Sequence, residues 1–493
     1  MMENQNNRFS SRFTFLLSAL GIAVGTGNIW RFPRIVASNA GDDGAGAFLV
    51  AWITFLFLWS IPLIIVEYIM GRQSRMGTVG AFSNFMGKPF AFLGGFVGVV
   101  STAIAFFYSV IVGWNIYYFG AIIFTDLPHN NDASWALWSS FQNSSFPIIF
   151  HAIAMMVGGL AIYKGVSSIE KVNKILIPVL LGIVLLSLFR AVSLPGSFDG
   201  IAYLFTPDWS QLRRPGIWVD ALAQNAFDTG AGFGLFLTYA IYIRKKYGII
   251  KNAFTTAIGN NLVSLIAAIM IFSTVFSILG NEMGMQKSEI LDVMKTSGPA
   301  ATGLTFIWMP QLFAKMAFGK PLAILFFLGL SFAGFSSLIS MLELAVRNLI
   351  DFGVQRSSAV LWIVFSSFLL GIPSAMSLEI LGNQDFVWSV GLIISGILMA
   401  IAAIKYGIDK MVNEVSLESE DDWPFPRWWP LVVKFIAPLV GFTLVAWWMI
   451  ESPSFFVTCV VQWGTVLTFF YIMNNYLTKK LSYKLYSEYS KGE

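Results

Sequence analysis

The sequence predicts an all-α polytopic membrane protein with twelve transmembrane helices, and three observations carry that reading. Of its 493 residues, 56% are hydrophobic and only 12% are charged, where a soluble domain carries roughly 25% charged residues. Mean hydropathy is +0.70. The apolar residues gather into runs of about 20, the length that crosses a bilayer's hydrocarbon core. This composition excludes an ordinary soluble enzyme, a disordered chain, a collagen-like repeat and a disulfide scaffold. The single Cys459 has no partner for an internal disulfide. Two histidines, His129 and His151, are too few for a histidine-rich metal site.

Taken in order, residues 1–12 form a short tail whose Arg8 and Arg12 lead straight into the first span, 13–37. No signal-peptide cleavage pattern intervenes, so that span is expected to stay in place. The next spans are expected at 47–70, 90–124, 146–163 and 173–193, then at 217–243, 252–280, 318–350, 358–374 and 386–405. Those at 90–124 and 318–350 exceed what a bilayer requires and should tilt or project beyond it. The acidic stretch within 408–429 reads as a solvated loop before the last two spans, 430–450 and 454–477, and the tail 478–493. Twelve spans put both termini on one side, and 22 of the 31 Lys and Arg fall there. The positive-inside rule makes that side the cytoplasm, with the chain in the cell (inner) membrane. Residues 13–193 and 194–407 would be two inverted repeats of five spans each.

Two spans are interrupted by glycines in matching positions of these halves. The first carries Gly21-Ile22-Ala23-Val24-Gly25-Thr26-Gly27-Asn28, and the sixth carries Phe227-Asp228-Thr229-Gly230-Ala231-Gly232-Phe233-Gly234. Glycine is costly inside a helix, so such clusters suit unwound backbone better than close helix packing alone. Broken helices in corresponding positions point to a transporter's binding site. Unwound carbonyls can hold a cation there, while the N–H groups that start a half-helix attract a carboxylate.

Gly25-Thr26-Gly27-Asn28-Ile29-Trp30-Arg31-Phe32-Pro33 resembles the first-helix signature of the neurotransmitter:sodium symporters. Pro62 to Gly71-Arg72 with Glu67, Thr206-Pro207-Asp208-Trp209, Pro215-Gly216-Ile217-Trp218 and Ala333-Gly334-Phe335-Ser336-Ser337 are similar to other stretches of that family. The resemblance runs from about residue 8 to 450. It implies the five-plus-five inverted repeat of the bacterial leucine transporter, with helices 1 and 6 discontinuous and two further helices.

The resemblance also implies sites. Sodium site 1 would use Ala23, Asn28, Asp228 and Asn260; sodium site 2 would use Gly21, Val24, Ala333, Ser336 and Ser337. The substrate pocket would be Thr26, Gly27, Ile104, Tyr108, Phe227, Gly230, Phe233, Ser337 and Met341. Arg31 and Asp385 match the extracellular gate, with Tyr108 and Phe227 as an aromatic lid. Tyr242 and Asp351 match the intracellular gate, where Arg8 or Arg12 stands near in place of the family's usual N-tail partners.

Asp228 departs from the family's usual Ser or Thr, and an intramembrane carboxylate is a functional candidate by default. It can ligate sodium, replace the chloride that many animal relatives require, or pair with a substrate amine. Gln224, Asn260 and Ser264 match chloride ligands, but Trp52 stands where those relatives have a tyrosine. Gly25 occupies the position of the monoamine carriers' aspartate, which argues for a substrate bearing its own carboxylate. The implied function is sodium-coupled symport of a small amino acid, best a hydrophobic or aromatic one. Sodium is the coupling ion, chloride is not expected to be required, and no cofactor or nucleic acid enters. A carrier of a cationic amine or divalent cation using Asp228, and a channel or sensor on the same fold, are the alternatives. The partners are the substrate, sodium and the lipid bilayer. No nucleophile–base pair or metal cluster suggests an enzyme.

Overall fold

The computed structural model describes residues 8–295, 302–416 and 422–481, and every regular element among them is helical. Hydrocarbon offers backbone groups no partner, so a spanning chain must bond them internally. Nine described helices are long and apolar enough to cross a membrane. The other three expected spans are present in altered form. The first is the pair Arg12–Ala23 and Thr26–Ser38, bent by 48°. The fourth is Phe146–Ile162, 17 residues long. The sixth is Pro215–Thr229 followed, after an unwound stretch, by Leu235–Ala240.

The two long helices behave as their length requires. Ala91–Phe124 and Gly319–Asp351 have 34 and 33 residues and lie against each other at the centre of the bundle. Around them the ninth and twelfth spans turn large apolar side chains outward, among them Phe365, Leu370, Val457 and Ile472. In water such faces mark interaction sites or aggregation; in a bilayer they meet the solvent that suits them.

The connections hold more structure than loops. Thr78–Met86, Asn131–Gln142, Ser197–Phe205, Lys287–Lys295 and Met309–Ala314 are all short helices. The acidic stretch is likewise more than a solvated loop. Ile408–Ser416 is helical, and Glu414 accepts from Gln73 Nε2 and from the Tyr406 hydroxyl, each at 2.9 Å. The Asp422 carboxylate accepts the N–H groups of Ile249, Ile250 and Lys251. Those three open the helix Ile249–Val275, where backbone donors have no partner of their own. Residues 1–7, 296–301, 417–421 and 482–493 lie outside the described part.

Candidate ion and substrate site

The two breaks have different physical causes. In the first span, Val24 and Gly25 are extended, and the helix resumes at Thr26. The Gly25 N–H donates to Asn28 Oδ1 at 2.8 Å. Close approach demands the glycine here: a Cβ at position 25 would stand 2.9 Å from Ser337 Oγ and 3.2 Å from the Tyr108 hydroxyl. In the sixth span, Gly230, Gly232 and Gly234 all have positive φ (69°, 94° and 81°). That left-handed region disfavours side chains, which explains three glycines at a spacing of two.

The donors freed by the second break are collected by Glu67 of the second span, fully buried. Its carboxylate accepts from Gly232 N at 2.6 Å and Leu237 N at 3.1 Å. A buried carboxylate needs hydrogen bonds, and the start of a half-helix supplies them. Above the break the same two spans are joined again. Asn225 Nδ2 donates to Trp52 O at 3.0 Å, and Thr229 Oγ1 donates to Ser60 Oγ at 2.8 Å.

Oxygens converge where the breaks face each other. The Asn260 amide lies 3.0 Å from both the Ala23 and the Asp228 carbonyl oxygens. With its nitrogen toward them it donates to both. With its oxygen toward them it completes a set of neutral oxygens of the kind hard cations take. Asn28 Nδ2 donates to Asn260 Oδ1 at 2.8 Å and to Ser264 Oγ at 2.7 Å. The Asp228 carboxylate accepts from Gln224 Nε2 at 2.6 Å and from Ser264 Oγ at 3.2 Å. Nearby, Ser336 Oγ donates to Val24 O at 3.2 Å and to Ala333 O at 2.8 Å. Gly21 adjoins them, since a Cβ there would lie 3.4 Å from Ser336 Cβ. Ser337 Oγ reaches Ile22 O at 3.2 Å. The four residues expected at sodium site 1 and the five expected at site 2 thus fall into two neighbouring clusters.

Beside them lies a cavity of about 160 Å³. All nine residues expected at the substrate pocket line it, joined by Phe107, Ile111 and Leu235, which sequence reading did not include. Tyr108 accepts from the N–H and the hydroxyl of Thr26 at 3.3 and 3.2 Å. A Cβ on Gly27 would lie 3.7 Å from Asp228 Oδ1, so this carboxylate borders both cavity and ion cluster.

The expected gates differ in state. Arg31 lies over the Phe227 ring, 4.3 Å from its centroid. Both Arg31 and Asp385 line the cavity, yet they form no ion pair among the described residues. Asp385 accepts from Ser389 Oγ at 3.4 Å instead. At the N-terminal end of the bundle the chain is tightly bonded. Asp351 forms an ion pair with Arg347 Nη2 at 2.9 Å and accepts from Gly77 N at 2.5 Å. Arg347 sits one turn away on the same helix, where little entropy is lost in forming the pair. Tyr242 donates to Glu343 Oε1 at 2.7 Å, and Glu343 also pairs with Arg356.

Glu343, Arg347 and Arg356 were not anticipated. The rarity of charge inside a span is the signal that could have found the first two. Phe9 is fully buried between Phe15 and Tyr239, with ring centroids 5.4 and 6.0 Å away. Its N–H donates to Tyr242 O at 3.2 Å. Ser10 donates to Glu170 through both its N–H, at 3.1 Å, and its hydroxyl.

The model of the sodium:neurotransmitter symporter family matches residues 6–146 and 139–482. An uncharacterised sodium-dependent transporter of Methanocaldococcus jannaschii is 30% identical over 457 residues, covering 88% of this chain and 89% of that one. Another from Bacillus subtilis is 29% identical over 460 residues, covering 89% and 97%. Among solved structures, MhsT in complex with L-phenylalanine superposes with a TM-score of 0.75 at 30% identity, covering 89% of this chain and 98% of that one.

Proposed function

This chain belongs to the sodium:neurotransmitter symporter family, and from that premise we propose that it imports a hydrophobic or aromatic amino acid together with sodium. One observation carries the reading: both breaks, with their converging oxygens, face a single largely apolar cavity. The substrate carboxylate meets the N–H groups at Thr26 and Gly27, which open the half-helix Thr26–Ser38. A helix start carries partial positive charge, and sodium at site 1 neutralises the rest. The side chain fills the space between Ile104, Phe233 and Met341, which Gly230 enlarges. A Cβ there would still be 3.5 Å from its nearest neighbour, Ile22. The L-phenylalanine bound by MhsT supports a substrate of this class.

Asp228 serves as a built-in anion. Its carboxylate takes hydrogen bonds from Gln224 and Ser264, two of the residues that match chloride ligands in animal relatives. Trp52, at the position of a further ligand, is buried against Phe32 at a centroid distance of 4.4 Å and offers no hydroxyl. Chloride is therefore not required. Sodium binding stabilises the state open at the Arg31 side and completes the pocket. Substrate then draws Tyr108 over Phe227 and Arg31 onto Asp385. The charge network around Glu343 and Asp351 next opens toward the cytoplasm, where both termini lie. Each charge moved inward gains about 2.3 kcal/mol per 100 mV.

The test is thermal stabilisation of the purified protein by each of the twenty amino acids, in sodium and in potassium. A ligand that binds the folded state raises its stability by mass action. The expected result is one group of hydrophobic or aromatic amino acids acting only in sodium. A response to an amine or a divalent cation instead would overturn the carboxylate argument and make Asp228 the centre of the substrate site.

A further inference from the structure

Asn173, on the fifth span, is 1% exposed, and beyond the neighbouring Tyr239 hydroxyl its amide has no hydrogen-bond partner. Such a group costs free energy unless something completes it. Its Oδ1 faces Gly21 and would stand 3.5 Å from a Cβ on that residue. The same Cβ would lie 3.4 Å from Ser336 Cβ and 3.2 Å from Ile177 Cδ1. The missing side chain of Gly21 therefore lets Asn173 and Ser336 approach the same stretch of backbone from two sides. Ser336 Oγ in turn reaches Val24 O and Ala333 O.

From this arrangement we infer that Asn173 is a further ligand of the second sodium site, reaching the ion directly or through one water. The inference rests on the reading of Gly21, Val24, Ala333, Ser336 and Ser337 as that site. The chemistry is consistent, because a neutral amide oxygen is what a sodium ion accepts and an underbonded buried amide is what an ion or water completes. The position also gives a direction. Asn173 lies one turn from Glu170, which receives Ser10 and pairs with Lys174 at 3.1 Å. Asn173 thus extends the ion cluster from the first and eighth spans toward the N-terminal segment. An ion leaving the cluster on that side meets an oxygen before it meets water.

The competing role is structural. The Tyr239 hydroxyl, also buried, lies within reach of the Asn173 side chain and has no other partner, so the two groups could serve only each other. The experiment is direct binding of radioactive sodium to the purified full chain, with an amino acid that stabilises it present at saturation. Wild type is compared with Asn173→Ala, Asn173→Asp, Tyr239→Phe and Ser336→Ala. The expected result is a loss of sodium affinity of about tenfold in Asn173→Ala, the lower end of what supporting residues contribute at metal sites. Asn173→Asp retains or tightens binding, and Tyr239→Phe leaves it unchanged.

Sodium affinity unchanged in Asn173→Ala while Ser336→Ala loses it would overturn the inference and leave the second site intact. An equal loss in Tyr239→Phe and Asn173→Ala would also overturn it, in favour of the structural pair. Unchanged binding in Ser336→Ala would instead remove the second-site reading itself.

Discussion

At the scale of single residues, backbone conformation and close approach decide most of what can be substituted. Gly232 has a φ of 94°, and a Cβ there would lie 2.7 Å from Gly396 Cα. Gly232→Ala therefore meets both a strained conformation, worth about 1–3 kcal/mol, and a clash with backbone that cannot yield. We expect a melting temperature lowered by several degrees and no sodium-dependent stabilisation, read by thermal unfolding. Asp228 is the residue whose chemistry departs most from its relatives. Asp228→Thr removes the built-in anion while keeping an oxygen near the ion cluster. Binding should then become chloride-dependent, which substrate-induced stabilisation in chloride and in gluconate would reveal. Equal stabilisation in both salts would mean that the carboxylate is not standing in for the halide.

At the scale of elements, the buried charges at the N-terminal end of the bundle act as one lock. Glu343 is fully buried and bonded by Tyr242 and Arg356. Arg356→Ala leaves that carboxylate without its cation, and breaking a buried pair from one side costs about 3–5 kcal/mol. We expect lower thermal stability, and a further change Glu343→Gln to restore part of it. If Arg356→Ala is as stable as wild type, the pair is not a lock. These elements also show what was legible in the sequence. The spans were, because hydrocarbon demands long apolar runs. The two breaks were, because left-handed φ at 230, 232 and 234 and the close approach at 25 demand glycine. Thr78–Met86 and Asn131–Gln142, only 9 and 12 residues long, were not, because segments so short carry no long apolar run. Asn173, Glu343 and Arg356 escaped as well. Their meaning lies in partners many residues away, such as Gly21 for Asn173 and Tyr242 for Glu343.

At the scale of the whole molecule, transport requires the cavity to open at one end while the other is sealed. Here the end with Phe9, Tyr242 and Glu343 is bonded shut, whereas Arg31 and Asp385 are apart. A ligand shifts such an equilibrium only through its different affinities for the two states. Sodium alone should therefore keep Phe9→Cys poorly reactive toward a thiol reagent. Potassium, or sodium with a transported amino acid, should raise the labelling rate. The native Cys459 is buried, so it adds little background. Labelling that ignores the ions would argue against a sodium-controlled closure.

Glu67 also constrains how the parts can move. With Trp52 O and Ser60, it fastens the second span to the sixth at three levels. Two rods pinned at three points along their length can neither slide nor twist against each other. The second span and both halves of the sixth then travel as one lever, and the glycine break in its middle is a rigid elbow rather than a free joint. The fulcrum must lie on the faces where that lever meets its neighbours through apolar contact alone, and any reagent that wedges such a face should stall the cycle without touching the ion or substrate sites.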